Sequence, residues 1–239
     1  MSLSLVLIGT VHHDPLGEVL LGALLDRLAP KILTLEMSPA ARDLRRERAP
    51  RLLRRLDRLL RFLARREGRD LEELDAHPAV EDIRALLALP FEYRATAAYC
   101  RRNGAELHLL DDSDLTRAQF ELTETELIRA RNLRTILALP PQPPAPESLD
   151  TARRVLAPEC PREIRRAFLA GRRGPLGIGP RDERMAQAIR DLLKTRTEGT
   201  LVHVGGWVHL LEDEDGGKTL FSRLADLAPR RWLLGNGKE

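Results

Sequence analysis

Short apolar runs, separated by long stretches with helical spacing, decide what this chain can fold into. The runs cover 3–8, 32–35, 106–110, 200–204 and 231–234, none near the 18 residues of a membrane span. The first ends at Gly9-Thr10, the second on Glu36, the third on Asp111-Asp112 and the fourth on Gly205-Gly206. Helix signals fill the gaps. Asp14-Pro15 opens apolar spacing over 16–28, Pro30 stops it, and Ser38-Pro39 is a cap followed by a first-turn proline. A further helix is expected over 181–194, after the glycine-rich 171–180. The alternation predicts an α/β fold: a central, mostly parallel or mixed sheet of about five strands flanked by helices, with a helical insertion after the second strand.

With 43% hydrophobic and 31% charged residues among 239, the chain is expected to be one globular domain over 1–239. The proline-rich 139–148 then reads as an exposed connector inside that domain. The amino-terminal apolar run lacks a basic flank and a small-residue cleavage site, so it reads as a strand rather than a signal peptide. No integral membrane segment is expected. Cys100 and Cys160 have no metal-ligand spacing, which fits a reducing, cytoplasmic setting. The net charge of +3 comes almost wholly from arginine and does not point to nucleic acid. Residues 51–66 carry a stripe of Leu52, Leu56, Leu59 and Leu63 beside Arg51, Arg54, Arg55, Arg58 and Arg65. That predicts an amphipathic helix over the sheet or its rim. The acids Asp43, Glu47 and Asp57 nearby count against a nucleic-acid or membrane-surface role.

In open α/β sheets ligands bind beyond the carboxyl ends of the strands. Gly9-Thr10-Val11-His12 and Gly206-Trp207-Val208-His209 repeat one short pattern at two such ends. Alone, each Gly-x-x-His is a weak motif, but the pair, each following an apolar run, points to a site. His12, His209 and Glu36 could hold a divalent metal, or a histidine oriented by a carboxylate could act as a general base without one. Gly9, Thr10 and Gly206 would let a substrate approach the backbone, and Asp111 would join them. Arg184, in the first turn of the expected 181–194 helix, sits where the helix dipole disfavours a cation, so an anionic or carbonyl-bearing substrate would account for it. His13 reads as a loop residue, His77 as a surface one, and His108 and His203 as packed within strands. No phosphate-binding loop, GxSxG or HExxH occurs.

These same residues resemble the TraB/PrgY/Tiki families. The stretch LIGTVHHDPLGEVLLGALLDRLAPKILTLEM is similar to their opening, with Gly9, Thr10, His12 and Glu36 as matches. NGAELHLLDDSD resembles their third strand, with Asp111 at its end. RDERMAQAI resembles their Glu-Arg helix through Glu183 and Arg184, and HVGGWVHL their closing Gly-x-x-His through Gly206 and His209. The chain departs from the pattern where Met37 replaces a cysteine and Arg42 falls one position late, and it lacks the carboxyl-terminal membrane helices of many members.

The resemblance implies a compact α/β fold shared with erythromycin-esterase-like and haem-binding ChaN-like proteins. It also implies a hydrolase-like site, metal-dependent in the Tiki branch and metal-free in the esterase branch. The expectation is a hydrolase acting on a peptide or other carbonyl substrate. Catalysis would rest on His12, Glu36, His209 and Arg184, and zinc, manganese or cobalt on His12, Glu36 and His209. Haem ranks below these metals as a cofactor. The alternative is a non-enzymatic binder of a peptide, haem or signal molecule in the same pocket. Substrate, metal and oligomeric state stay open at this level.

Overall fold

In the computed structural model, residues 4–140, 148–174, 177–196, 198–214, 216 and 218–235 are described. Most of the proline-rich connector expected at 139–148 lies outside them. The strands are β1 (Ser4–Thr10), β2 (Ile32–Leu35), β3 (Glu106–Leu109), β4 (Thr200–Gly206) and β5 (Arg230–Leu233). The helices, in chain order, are α1 (Gly17–Leu28), α2 (Pro39–Glu47), α3 (Ala49–Glu67), α4 (Leu71–Asp75), α5 (Pro78–Leu87) and α6 (Phe91–Asn103). They continue with α7 (Ser113–Leu122), α8 (Ala130–Leu137), α9 (Leu149–Leu156), α10 (Arg162–Ala170), α11 (Pro180–Lys194) and α12 (Leu220–Arg223). A π-helical turn, Thr123–Leu127, lies between α7 and α8.

The chain forms two compact units. One comprises 1–37, 90–112 and 146–239, and the other 38–89 and 113–145. The first unit holds the sheet, in the order β3-β2-β4-β1-β5, with every pairing parallel. The expectation of an α/β fold around a five-stranded sheet is met, and the sheet is parallel throughout. Alternation puts Leu5, Leu7, Ile32 and Leu201 on one face, buried against Met185, Ala186 and Ile189 of α11 and Leu220 and Leu224 of α12. The intervening Val6, Ile8, Leu33, Leu35, Val202 and Val204 point to the opposite face and are equally buried. Helix α6 packs on β2 and β3 and against α1. Burial on both faces is why these strands read as continuous apolar runs.

The helical insertion expected after the second strand is the 38–89 part of the second unit, which 113–145, following the third strand, completes. Ser38 caps α2, its Oγ accepting the Ala41 amide at 2.9 Å, with Pro39 in the first turn. The leucine stripe does form a helix, α3. Its apolar face is buried among helices of its own unit, against Leu74, Val80, Ile83, Leu87, Phe120, Leu133 and Leu137. The burial that the stripe needs is supplied within its own unit. The fully buried position is Leu60, with Leu59 only partly buried, because 52, 56, 60 and 63 follow the helical period more closely. Each buried leucine contributes about 2 kcal/mol, so the stripe outweighs any repulsion among the solvated arginines.

Candidate active site

All strands run parallel, so their carboxyl ends share one edge of the sheet. The neighbours β3, β2, β4 and β1 deliver Asp111, Glu36, Gly206 and Gly9 there in adjacent order. Glu36 extends the β2 pairing by one residue, its amide donating to the Val204 carbonyl at 2.9 Å. The two Gly-x-x-His turns lie against each other. A Cβ on Gly9 would stand 2.5 Å from Leu210 Cδ1 and 2.8 Å from Trp207 Cα, so only glycine permits the approach. A Cβ on Gly206 would stand 3.2 Å from His12 Nε2 and 3.7 Å from His209 Cδ2. Folding therefore brings His12, Glu36 and His209 together around Gly206.

Each histidine has its own carboxylate. His12 Nδ1 lies 2.9 Å from Glu92 Oε1, and the Thr10 hydroxyl donates to the same oxygen at 2.9 Å. The His12 side chain is 51% exposed, whereas Glu92 is buried. Burial works against the Glu92 charge, but the hydrogen bond and charge of His12 more than offset it, and the carboxyl is held below its usual range. Glu92, not Glu36, thus fixes the orientation of His12. It stands in the first turn of α6, where an acid reads as an ordinary helix-dipole residue, and nothing in the sequence sets it apart.

His209 is buried between two acids, with Nδ1 2.6 Å from Asp182 Oδ1 and Nε2 3.0 Å from Glu36 Oε1. Burial alone would discharge it, but Glu36 and Asp182 outweigh that and raise it to about 10, so it is an imidazolium at neutral pH. Asp182 also accepts the Leu220 amide at 2.8 Å and the Gly179 amide at 3.2 Å, which locks it in place. Glu36 accepts Arg181 Nη2 at 2.8 Å and the Gly206 amide at 2.7 Å. Burial opposes its charge, yet His209, Arg181 and His12 hold the carboxyl well below the usual range. Asp111 receives Arg181 Nε and Nη2 at 2.9 and 2.7 Å, so it positions that guanidinium. Beneath them His203 is fully buried, with Nδ1 2.9 Å from the Thr34 hydroxyl, and burial pushes it down to about 4.

Two expected substrate contacts and one catalytic one take other places. Thr10 is fully buried and supports Glu92. Asp111 is turned to Arg181. Arg184 is half exposed and pairs with Asp112 at 2.9 Å; it is not among the residues lining the cleft. Its neighbour one turn earlier, Arg181, takes the place expected for it. Arg181 and Asp182 lie in the RDER run that the sequence singled out, but the run alone does not say which charges turn inward.

The site opens into a cleft of about 520 Å³ lined by His12, Glu36, Arg172, Arg173, Arg181 and His209, together with Gly171, Gly174, Gly177, Ile178 and Gly206. A larger hollow of about 620 Å³ in the helical unit is lined by Asp57, Glu72, Asp75, Arg61 and Arg84 and holds no histidine among the described residues. His12, Glu36 and His209, the residues expected to hold a divalent metal, stand together at the cleft. Both His209 nitrogens lie within hydrogen-bond distance of carboxylates, and both Glu36 oxygens accept N–H donors. Among the described residues no group of three His, Cys, Asp or Glu side chains is arranged to hold a metal.

No protein-family model, no curated protein and no solved structure matches the chain. Among the described residues no helix is long and apolar enough to cross a membrane.

Proposed function

We propose that the chain is a metal-independent hydrolase of a peptide or other carbonyl substrate. The observation that carries this reading is the His12–Glu92 pair at the mouth of a cleft whose lining includes Arg181 and His209. Glu92 holds the proton on Nδ1, which makes Nε2 the basic nitrogen. Nε2 takes a proton from water as the water oxygen bonds to the carbonyl carbon. Arg181 and His209 supply positive charge for the oxyanion that develops. Collapse breaks the bond to the leaving group, which receives the proton from His12, and the Glu92 carboxylate stabilises the imidazolium in between. Among the described lining residues there is no Ser, Thr, Cys, Tyr or Lys, which favours direct attack by water over a covalent intermediate.

The same reading keeps the chain with the TraB/PrgY/Tiki type of site. Its support is that Gly9, His12, Glu36, Asp111, Gly206 and His209 all fall at the ends of adjacent strands. Cys100 and Cys160 are both free thiols, in keeping with the cytoplasm as the working compartment. A second reading, a binder without turnover, is favoured by one feature: Asp111, Arg181, Glu36, His209 and Asp182 form an unbroken line of ion pairs. Hydrolysis of 4-nitrophenyl esters and of a chromogenic peptide, compared with His12→Ala, separates the two. Wild-type turnover no faster than the variant would leave the binder.

A further inference from the structure

Beyond the reacting groups, the cleft carries a second set of cations with a construction of its own. Arg172 and Arg173 sit on the loop after α10, and both line the cleft that His12 lines. The Arg172 guanidinium carbon stands over the Phe168 ring, 3.5 Å from its centroid, and Nη1 donates to the Phe168 carbonyl at 3.2 Å. Phe168 in turn packs on Trp207, ring centroids 5.0 Å apart, and Trp207 directly follows Gly206 at the centre of the site. The guanidinium is thereby tied, through two aromatic rings, to the segment that presents His209. Arg173 is anchored on buried Asp213, its Nη2 2.9 and 3.1 Å from the two carboxylate oxygens. The loop closes on itself, the Ile178 amide donating to the Arg172 carbonyl at 2.8 Å.

This is a costly way to hold two arginines that could otherwise extend into water. Fixing a long side chain costs rotamer entropy. A stacked guanidinium also has less hydration to lose when an anion arrives, and its planar fork matches a carboxylate. Spending that entropy at a cleft wall is explained by recognition of an anion there.

We propose that the cleft takes acyl substrates bearing a carboxylate remote from the bond to be cut, read by Arg172 and Arg173. The choice of substrate class rests on the hydrolase reading; the anion site itself does not. Hydrolysis of such a substrate consumes one water: its oxygen joins the acyl carbon, the bond to the leaving group breaks, and the leaving oxygen or nitrogen takes the proton.

The test compares 4-nitrophenyl hydrogen glutarate with 4-nitrophenyl butyrate, and in parallel titrates the protein calorimetrically with glutarate and with glutaramide. Wild-type kcat/KM is expected to favour the anionic ester by about tenfold or more, and the preference to shrink as salt is raised. Arg172→Gln is expected to bring the ratio toward one, with Arg172→Lys between. Glutarate is expected to bind and glutaramide not, with about tenfold weaker glutarate binding in Arg172→Gln. Equal rates for the two esters, together with no glutarate binding to the wild type, would overturn the anion site and leave the hydrolase. Arg172-dependent glutarate binding without ester turnover above His12→Ala would overturn the hydrolase and leave the anion site. The wild-type measurements stand even if a variant fails to fold.

Discussion

His12 Nδ1 stands 2.9 Å from Glu92 Oε1, joining the turn after the first strand to the first turn of a helix 80 residues further along the chain. Glu92 is buried and His12 is half in solvent, so the acid is fixed and the base is presented. The pair divides orientation from reaction between two residues, and it is the part of the site most open to a direct test.

Glu92→Gln keeps the shape of the side chain and removes its charge. Loss of carboxylate support for a histidine base is expected to lower kcat/KM by about 10² to 10⁴, with KM little changed. His12→Ala is expected to fall to the buffer rate. Unchanged kcat in Glu92→Gln, with the fold verified by circular dichroism, would remove the dyad from the mechanism.

Arg181 and Arg184 should behave oppositely. Arg181→Ala strips Glu36 and Asp111 of their shared cation in a buried setting, at an expected cost of about 3 kcal/mol or more. Arg184 is 49% exposed, and its pairing with Asp112 is worth little, so Arg184→Ala should stay within about 0.5 kcal/mol. Urea midpoints read the stability difference, and kcat/KM should drop only in Arg181→Ala.

Stability should peak near neutral pH. His209 is raised from 6.5 to about 10 by Glu36 and Asp182 against the opposing effect of burial. Its contribution is complete below 6.5 and is lost as pH climbs toward 10. His203 is pushed by burial from 6.5 to about 4, so its contribution is present above 6.5 and is lost as pH falls toward 4. Glu36, held below its ordinary 4.5 by His209 and Arg181 in spite of burial, adds a further loss as pH falls below that value. The combined swing is on the order of a few kcal/mol. Urea midpoints at intervals from pH 4.5 to 9.5 should trace a dome, and a flat profile would contradict the charge states assigned to the two histidines.

Chelation should leave the protein as it was. Prolonged treatment with EDTA and phenanthroline is expected to change neither the melting temperature nor ester turnover. Elemental analysis of untagged protein is expected to find no stoichiometric zinc, manganese or cobalt. Activity lost on chelation and restored by one of these metals would mean that the Arg181–Glu36–His209 ion pairs open to admit a cation.

By itself the sequence determined which residues end the strands. A parallel strand covered on both faces is apolar throughout, so its end shows as the first glycine or acid after the run, and Gly9, Glu36 and Gly205 are visible that way; β3, a partly exposed edge strand, ends where its last leucines give way to Asp111. It also determined α3, because an apolar stripe in a long arginine-rich stretch has only one regular structure that buries it. The order of strands was left to the tertiary structure, since β4 enters between β2 and β1 from about 90 residues beyond β3 and no local pattern encodes its neighbours. So was the partner of His12, because an acid in a first helical turn is common and only the packing of α6 turns Glu92 inward. The choice between Arg181 and Arg184 was decided there too. They are three residues apart on one helix and so lie near the same face, and a rise of about 4.5 Å along the axis places one over Glu36 and the other over Asp112.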